Sequence, residues 1–129
     1  MLKKKILIIG GAGFLGFHLA KKLLNNYKVD IIDDLSRGKL DKDFRLLLKN
    51  KNVNLIKKDI SKKINLNFFK KDYKYIFQLA AIVGVKNVLS NPFKVIEKNL
   101  MIQMNSIKIA QNQKKLKKFI FTSTSEVHL

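Results

Sequence analysis

One stretch decides how this chain folds: Ile-Leu-Ile-Ile-Gly-Gly-Ala-Gly-Phe-Leu-Gly, residues 6–16. Its four apolar residues predict a buried β-strand, and the glycines after them predict a sharp turn into a helix. The glycines can be read as Gly11-x-Gly13-x-x-Gly16 or as Gly10-x-x-Gly13-x-x-Gly16. Both spacings place backbone N–H groups at a helix N-terminus, where the amides and the helix dipole favour phosphate. The stretch therefore predicts a pyrophosphate cradle and a bound dinucleotide.

Each glycine has an expected physical role. Gly10 and Gly11 permit the turn between strand and helix, and Gly13 lets the backbone approach a phosphate. Gly16 allows the helix to pack closely against the strand. Because glycine also serves ordinary turns, the residues that follow have to support the prediction.

The residues after the glycine turn do support it. Residues 17–26 carry apolar side chains at helical spacing, and residues 29–32 predict a second strand that ends in Asp33-Asp34. An acidic residue at this point accepts hydrogen bonds from the adenosine ribose. A carboxylate at Asp33 would also repel a 2′-phosphate, which favours NAD over NADP, whereas the nearby Arg37 points the other way.

Length and composition limit what the chain can be. Its 129 residues fit one domain, over residues 1–129, and leave no room for a separate substrate domain. The chain has no cysteine and 2 histidines, so it offers neither disulfides nor a ligand set for a metal. A reducing, cytoplasmic location is compatible with this composition and is the expected one.

The charge of the chain raises the question of nucleic acid. The formal net charge is +18, and the basic residues are lysines apart from Arg37 and Arg45. The lysines are spread over every segment, without a basic stripe interleaved with aromatic residues. This pattern is more typical of an AT-rich genome than of a binding surface, so no specific nucleic-acid site is expected. No segment reaches the roughly 18 apolar residues of a membrane span, and no membrane association is expected.

The rest of the chain alternates strands with helices. Strands are predicted over Val53–Lys57, Tyr75–Ala81 and Phe119–Phe121, and a long helix from Pro92 to about Gln113. Such alternation predicts a doubly wound parallel sheet with strand order 3-2-1-4-5. Ligands in such sheets bind at the carboxyl ends of the strands. That edge gathers the glycine turn with Asp33, Asp59, residues 79–81 and residues 123–126.

These residues resemble the extended short-chain dehydrogenase/reductase superfamily, and within it the NAD-dependent nucleotide-sugar epimerase/dehydratase group. The resemblance covers nearly the whole chain. It rests on Gly-Gly-Ala-Gly-Phe-Leu-Gly (10–16), Ile-Asp-Asp-Leu-Ser (32–36), Lys-Asp-Ile (58–60), Gln-Leu-Ala-Ala (78–81), Asn-Pro (91–92) with Asn99, and Phe-Thr-Ser-Thr-Ser-Glu-Val (121–127). Ile9 departs from the family, which usually has threonine there.

The resemblance implies a Rossmann-type fold that holds NAD. Its pyrophosphate would lie against Gly10, Gly13, Phe14, Leu15 and Gly16, and its adenosine ribose against Asp33. Asp59 and Ile60 would contact the adenine. The resemblance also implies that Leu79, Ala80 and Ala81 line the cofactor cleft, and that Asn99 belongs to the network beneath it.

The resemblance further implies a nucleotide-sugar substrate, such as a UDP- or dTDP-sugar. Thr124 falls where the family places the residue that hydrogen-bonds the sugar 4-hydroxyl during hydride transfer, and Glu126 is its catalytic companion. The Thr-Ser-Glu-Val variant favours a decarboxylase (lyase) or an epimerase (isomerase) over a dehydratase. From the residues alone, Thr122 to Ser125 could equally cap the strand and turn.

The family's acid/base pair, Tyr-x-x-x-Lys, does not occur in these residues: Tyr27, Tyr73 and Tyr75 are each followed four positions later by an apolar residue. The expectation is therefore a Rossmann sheet truncated after its fifth strand, which binds NAD and is inactive alone. Two alternatives stay open. The chain could be a stand-alone NAD-binding or interaction module, or half of a split enzyme completed by another chain. In either case the apolar face of helix 92–113 would contact the partner, which is a second copy or the complementing chain, because the resemblance implies dimer contacts through this helix.

Overall fold

Strands and helices alternate along the chain around one sheet. The computed structural model describes residues 2–36, 40–82 and 84–123. In chain order the elements are β1 (Lys4–Ile9), α1 (Phe14–Leu23), β2 (Tyr27–Asp33), α2 (Lys42–Leu48), β3 (Val53–Lys57), a 3₁₀ turn (Leu66–Phe68), β4 (Tyr73–Gln78), α3 (Val85–Ser90), α4 (Pro92–Gln111) and β5 (Lys118–Phe121).

The five strands form one sheet in the order β3-β2-β1-β4-β5, and every neighbouring pair is parallel. The predicted fold class and strand order are confirmed. Hydrophobic clusters cover the sheet on both faces, with Ile6 and Ile8 in one and Leu7 and Ile9 in the other. Because successive side chains of a strand point to opposite faces, burial on both sides explains the continuous apolar run that opens the chain.

Helix α1 begins earlier than its spacing of apolar residues predicts. It starts at Phe14 instead of residue 17 and ends at Leu23, with Gly13 as its N-cap. Its end is set by the backbone N–H groups of Leu24 and Asn26, which donate to Ala20 and Leu23 in a tightening last turn. The first turn of the helix therefore begins directly after Gly13 and contains Gly16.

Strand β4 is shifted toward the N-terminus of its predicted range. It begins at Tyr73 and ends at Gln78, so residues 79–81 form a loop. The buried Gln78 side chain explains this ending, because it accepts from the Ala80 N–H at 2.6 Å and donates to the Ala80 carbonyl at 3.1 Å. These bonds fold the chain back where a strand would have continued.

The ladder between β1 and β4 contains a β-bulge at its amino-terminal end. Lys5 pairs with Tyr73 and Ile6 pairs with Tyr75, so Lys74 is an extra residue in β4. A bulge bends its strand and re-aims the side chain of the extra residue. Apolar spacing along the chain predicted neither this bulge nor helices α2 and α3 as separate elements.

Candidate functional site

A cleft of about 1020 Å³ opens at the carboxyl ends of the strands, as the sequence predicts for this fold. Its volume is close to the upper end of the range of small-molecule sites. Most of the predicted cofactor residues line it: Gly10, Gly13, Phe14, Asp33, Asp59, Ile60, Leu79, Ala80 and Ala81. The topology thus brings together residues from the loops that follow four different strands.

Three of the four glycines in the turn are required by contacts inside the protein. Gly10 has a φ of +85°, and a Cβ there would lie 2.7 Å from the backbone nitrogen of Ala80. A Cβ at Gly11 would lie 2.5 Å from the Ile31 side chain, and one at Gly16 would lie 2.4 Å from the Gly11 Cα. Gly16 therefore packs α1 against the turn itself, and it is buried behind the cleft.

Gly13 differs from the other three glycines. Its φ of −75° suits any residue, and a Cβ built on it would come no closer than 3.8 Å to the protein, at the Gly10 carbonyl. Neither backbone conformation nor internal packing therefore requires glycine at this position. Because Gly13 is exposed and lines the cleft, the missing side chain leaves space for a bound molecule.

The first turn of α1 offers hydrogen-bond donors to that space. Gly13 supplies no side-chain cap, and the first turn contains no acidic residue. Backbone N–H groups in the first turn of a helix have no partner within the helix, and together with the helix dipole they attract anions. A site with uncapped amides and an open glycine fits a pyrophosphate group.

The Asp33 carboxylate lies beside the glycine turn. One of its oxygens accepts a hydrogen bond from the Ala12 N–H at 3.0 Å, and the other accepts from the Leu35 N–H at 2.7 Å. The second bond accompanies a φ of +62° at Leu35, a backbone conformation that residues other than glycine rarely adopt. These two hydrogen bonds fix the orientation of the Asp33 carboxylate. Because a carboxylate has about four acceptor positions, it can still accept hydrogen bonds from hydroxyl groups of a bound molecule.

Asp59 and Ile60 form the wall that follows β3. Partial burial opposes ionisation of Asp59, but hydrogen bonds from the Ser61 hydroxyl and N–H outweigh it. Together with the charges of Lys62 and Lys98, they hold the Asp59 pKa below its usual value. The Ile60 side chain is buried, and its carbonyl accepts from the Asn105 amide at 2.8 Å. This wall is therefore anchored to α4.

The loop after β4 is held from behind by a side chain of α4. The Asn99 amide accepts from the Ile82 N–H at 2.7 Å and donates to the Ile82 carbonyl at 3.0 Å. Gln78, which binds Ala80, also donates to the Gln103 side chain of α4 at 2.9 Å. Asn99 does not line the cleft, and its contacts position the loop that does.

Several predicted site residues lie elsewhere. Leu15 is more than half exposed but does not line the cleft, and Gly16 lies beneath the turn. Thr124 and Glu126, the predicted catalytic residues, lie outside the described residues, as does Arg37. Within the part of the chain that the structure covers, no group of three metal-binding side chains occurs. No described helix is long and apolar enough to cross a membrane.

Three lysines of the cleft were not predicted as site residues: Lys58 after β3, and Lys94 and Lys98 on α4. Lys94 and Lys98 line it from the first two turns of α4, and the charge of Lys98 reaches Asp59. A signal for them exists in the sequence, because they are four residues apart and share one face of a helix that starts at Pro92. The sequence could not show that this face turns toward the carboxyl ends of the strands.

Several known proteins with similar sequences or structures are named as enzymes of nucleotide sugars. The family model "NAD dependent epimerase/dehydratase family" matches residues 6–128. A UDP-N-acetyl-alpha-D-glucosaminuronate decarboxylase from Bacillus cytotoxicus is 37% identical over 128 residues, which are 98% of this chain and 38% of that protein.

Solved structures agree with this similarity. The UDP-N-acetylglucosamine 4-epimerase from Methanobrevibacter ruminantium M1, in complex with UDP-N-acetylmuramic acid, superposes with a TM-score of 0.85 at 32% identity. The match covers 99% of this chain and 40% of the epimerase. The Bordetella bronchiseptica enzyme WbmF in complex with NAD+ shares the fold, with a TM-score of 0.81 at 23% identity over 97% of this chain and 37% of WbmF. The chain thus spans about 40% of the length of these proteins or slightly less.

Proposed function

Because this chain belongs to the NAD-dependent epimerase/dehydratase family, we propose that it forms the NAD-binding portion of an enzyme that modifies nucleotide sugars. The space at Gly13 is the observation that carries the proposal, since a Cβ there would make only an ordinary van der Waals contact with the protein, while Gly13 itself lines the cleft. The uncapped amides of α1 hold the pyrophosphate. Asp33 accepts hydrogen bonds from the hydroxyl groups of the adenosine ribose, and Asp59 and Ile60 contact the adenine.

Leu79, Ala80 and Ala81 would line the cleft beside the bound NAD. When bound, NAD would supply the hydride-transfer chemistry of the family, and Thr124 would hydrogen-bond the sugar 4-hydroxyl. The Thr-Ser-Glu-Val variant, which contains Glu126, favours a decarboxylase or an epimerase over a dehydratase, and relatives of all three kinds are similar to this chain. We infer a cytoplasmic location, which cell fractionation would check.

Calorimetric titration of the 129-residue polypeptide with NAD and NADP tests the cofactor assignment. We expect saturable binding of NAD and at least about tenfold weaker binding of NADP, because the Asp33 carboxylate repels a 2′-phosphate. Asp33→Asn should narrow this difference. Asp72→Asn is the control, since Asp72 lies just before β4, at the edge of the sheet opposite the cleft, where it pairs with Lys5 at 2.8 Å. A folded sample that takes up no NAD would contradict the proposal.

The same polypeptide should not convert UDP-sugars. No Tyr-x-x-x-Lys pair occurs in its residues, so it lacks the family's general base. Product analysis after incubation with NAD and UDP-sugars measures this directly. Epimerase, dehydratase or decarboxylase activity from the purified polypeptide would show that another group supplies the base.

A second proposal concerns the exposed apolar stripe of α4, which we define as Phe93, Ile96, Leu100, Met104 and Ile107. These side chains repeat every three or four residues, and between 39% and 83% of each is exposed. Such a stripe buries its surface when two helices pack together. We propose that it contacts a second copy of this chain.

Light scattering after gel filtration tests this contact. We expect a dimer whose population falls in Leu100→Lys, because the substitution buries an unpaired charge at the contact. Gln111→Lys places the same charge at an exposed position at the end of α4 and should leave the dimer intact. A monomer at all concentrations would leave a different, complementing chain as the partner and overturn self-association.

A further inference from the structure

A second cavity, which we call the lateral pocket, lies between α4 and the segment that connects β3 to β4. Its volume is about 420 Å³, within the range of small-molecule sites. It is lined by Lys63, Ile64, Leu66, Met101, Asn105 and Lys108, none of which lines the cleft. The last three of these residues are four and three positions apart, so they share one face of α4.

Asn105 brings a polar group to the lateral pocket although it is only 2% exposed. Its side-chain nitrogen donates to the Ile60 carbonyl at 2.8 Å and to the Lys62 carbonyl at 2.9 Å. Because only the NH₂ end of an amide can donate to a carbonyl, these two bonds fix which way the amide points. The Asn105 side chain is therefore held by backbone on one side, with its oxygen directed away from both carbonyls.

This oxygen, Oδ1, accepts no hydrogen bond from any residue that the structure describes. In the described ranges no completely buried side-chain nitrogen or oxygen lacks a partner, so Oδ1 belongs to the small exposed part of Asn105. A nearly buried acceptor without a protein partner costs stability unless a bound molecule donates to it. Oδ1 therefore offers the lateral pocket one acceptor in a fixed position.

The other lining residues define what else a ligand must carry. Ile64, Leu66 and Met101 form an apolar wall, and the flexible methionine can adapt to different shapes. Lys63 and Lys108 are exposed, and neither belongs to an ion pair within the described part of the chain. Two free ammonium groups favour a carboxylate or another anion. A matching ligand combines a hydrogen-bond donor, an apolar group and a negative charge.

We propose that the lateral pocket binds a small carboxylic acid of the N-acylated amino acid class, with an apolar side chain. The amide N–H of the ligand donates to Asn105 Oδ1, and its side chain packs against the apolar wall. Its carboxylate interacts with Lys63 and Lys108. The volume of the pocket lies toward the lower end of the usual range, which favours such a molecule over a longer peptide.

Titration with N-acetyl-L-leucine, followed by nuclear magnetic resonance, tests the ligand class on the 129-residue polypeptide. We expect saturable shifts of the Asn105 side-chain amide signals, because a donor at Oδ1 polarises the whole amide. The analogue methylated at the amide nitrogen lacks the donor and should bind about threefold more weakly or worse. The methyl ester lacks the charge and should bind about tenfold more weakly.

A pair of matched variants tests the two lysines. Lys63→Gln/Lys108→Gln should weaken binding of N-acetyl-L-leucine by about tenfold, and it should bind the acid and the methyl ester equally. Lys22→Gln/Lys49→Gln removes the same charge from α1 and the end of α2, on the other face of the sheet, and affinity should stay within about twofold. All four lysines are exposed, so neither variant should lose stability.

Four results would overturn the proposal. The absence of saturable binding of N-acetyl-L-leucine would show that the lateral pocket holds solvent only. Equal losses in the two double variants would show that the carboxylate is attracted by the whole +18 surface. Equal affinity of the N-methylated analogue would show that Asn105 Oδ1 is not the acceptor. Tighter binding of a tripeptide that ends in leucine would assign the pocket to a peptide C-terminus.

Discussion

At the scale of single residues, the glycine turn combines two different requirements. Gly10, Gly11 and Gly16 are needed because the backbone of the turn approaches Ala80, the Ile31 side chain and itself. Gly13 is needed by nothing inside the protein. Some glycines of one motif are therefore required by the fold, and another leaves space for a ligand. The two roles can be distinguished only from the atoms that surround each Cα.

This separation predicts opposite effects for two alanine substitutions in one turn. Gly13→Ala places a methyl group in the cleft, so NAD affinity should fall by about tenfold or more, or at least about 1.4 kcal/mol. Its free energy of unfolding should fall by about 1 kcal/mol or less, because alanine is a poorer N-cap than glycine but its Cβ would come no closer than 3.8 Å to the protein. Calorimetry and urea denaturation measure the two quantities.

Gly16→Ala is the matched comparison. Its Cβ would lie 2.4 Å from the Gly11 Cα, which is backbone and cannot move aside without displacing the turn. Overpacking of this kind costs about 1–3 kcal/mol of stability. A Gly13→Ala protein that binds NAD normally, or one as unstable as Gly16→Ala, would contradict the distinction between the two glycines.

At the scale of elements, α4 fixes the walls of the cleft through polar side chains. Asn99 binds both backbone groups of Ile82, Asn105 binds the Ile60 carbonyl, and Gln103 accepts from Gln78. The loops after β3 and β4 are therefore tied to one helix instead of to each other. This arrangement explains a helix whose inner face contains asparagine and glutamine among apolar residues.

Removing one of these contacts should loosen a wall of the cleft. Asn99→Ala leaves the Ile82 N–H and carbonyl without their partner, and we expect it to lower the free energy of unfolding by about 1–3 kcal/mol. Exchange of the Ile82 amide hydrogen should also accelerate. Asn25→Ala, at an exposed position after α1, should change stability by less than about 0.5 kcal/mol. Equal effects of the two substitutions would show that Asn99 does not support the loop.

The sequence predicted the elements whose signals are local. The limits of β3, the strand order and the gathering of loop residues at one edge follow from apolar periodicity and connection rules. The bulge at Lys74 and the early end of β4 at Gln78 were missed, because they depend on partners far away in the chain. The orientation of Lys94 and Lys98 was missed for the same reason.

At the scale of the whole molecule, a buried polar contact joins strands that are not neighbours. The Tyr73 hydroxyl, at the start of β4, donates to the Asp30 carboxylate on β2, and β1 lies between the two strands. Lys70 forms an ion pair with the same carboxylate at 3.1 Å. Asp30 is only 5% exposed, and these two partners offset the cost of burying its carboxylate.

This contact predicts how stability depends on alkaline pH. Burial, followed by the hydrogen bond to Asp30, raises the Tyr73 pKa above its usual value of 10.0. In the unfolded chain the phenol ionises near that usual value, whereas the folded protein keeps it protonated. The stability that Tyr73 contributes is therefore fully present below pH 10 and decreases as the pH rises above it.

Urea denaturation of the natural sequence and of Tyr73→Phe at several pH values checks this expectation. At pH 7 to 9 the substitution should cost a constant amount of about 1–3 kcal/mol, because the Asp30 carboxylate loses a buried donor. Above pH 10 the difference between the two proteins should shrink, by up to about 1.4 kcal/mol per pH unit. Comparing the free energies of unfolding of the two proteins at each pH removes the contribution of the lysines, because both proteins contain the same lysines. A difference that stays constant up to pH 11 would mean that burial and the contact with Asp30 do not raise the Tyr73 pKa.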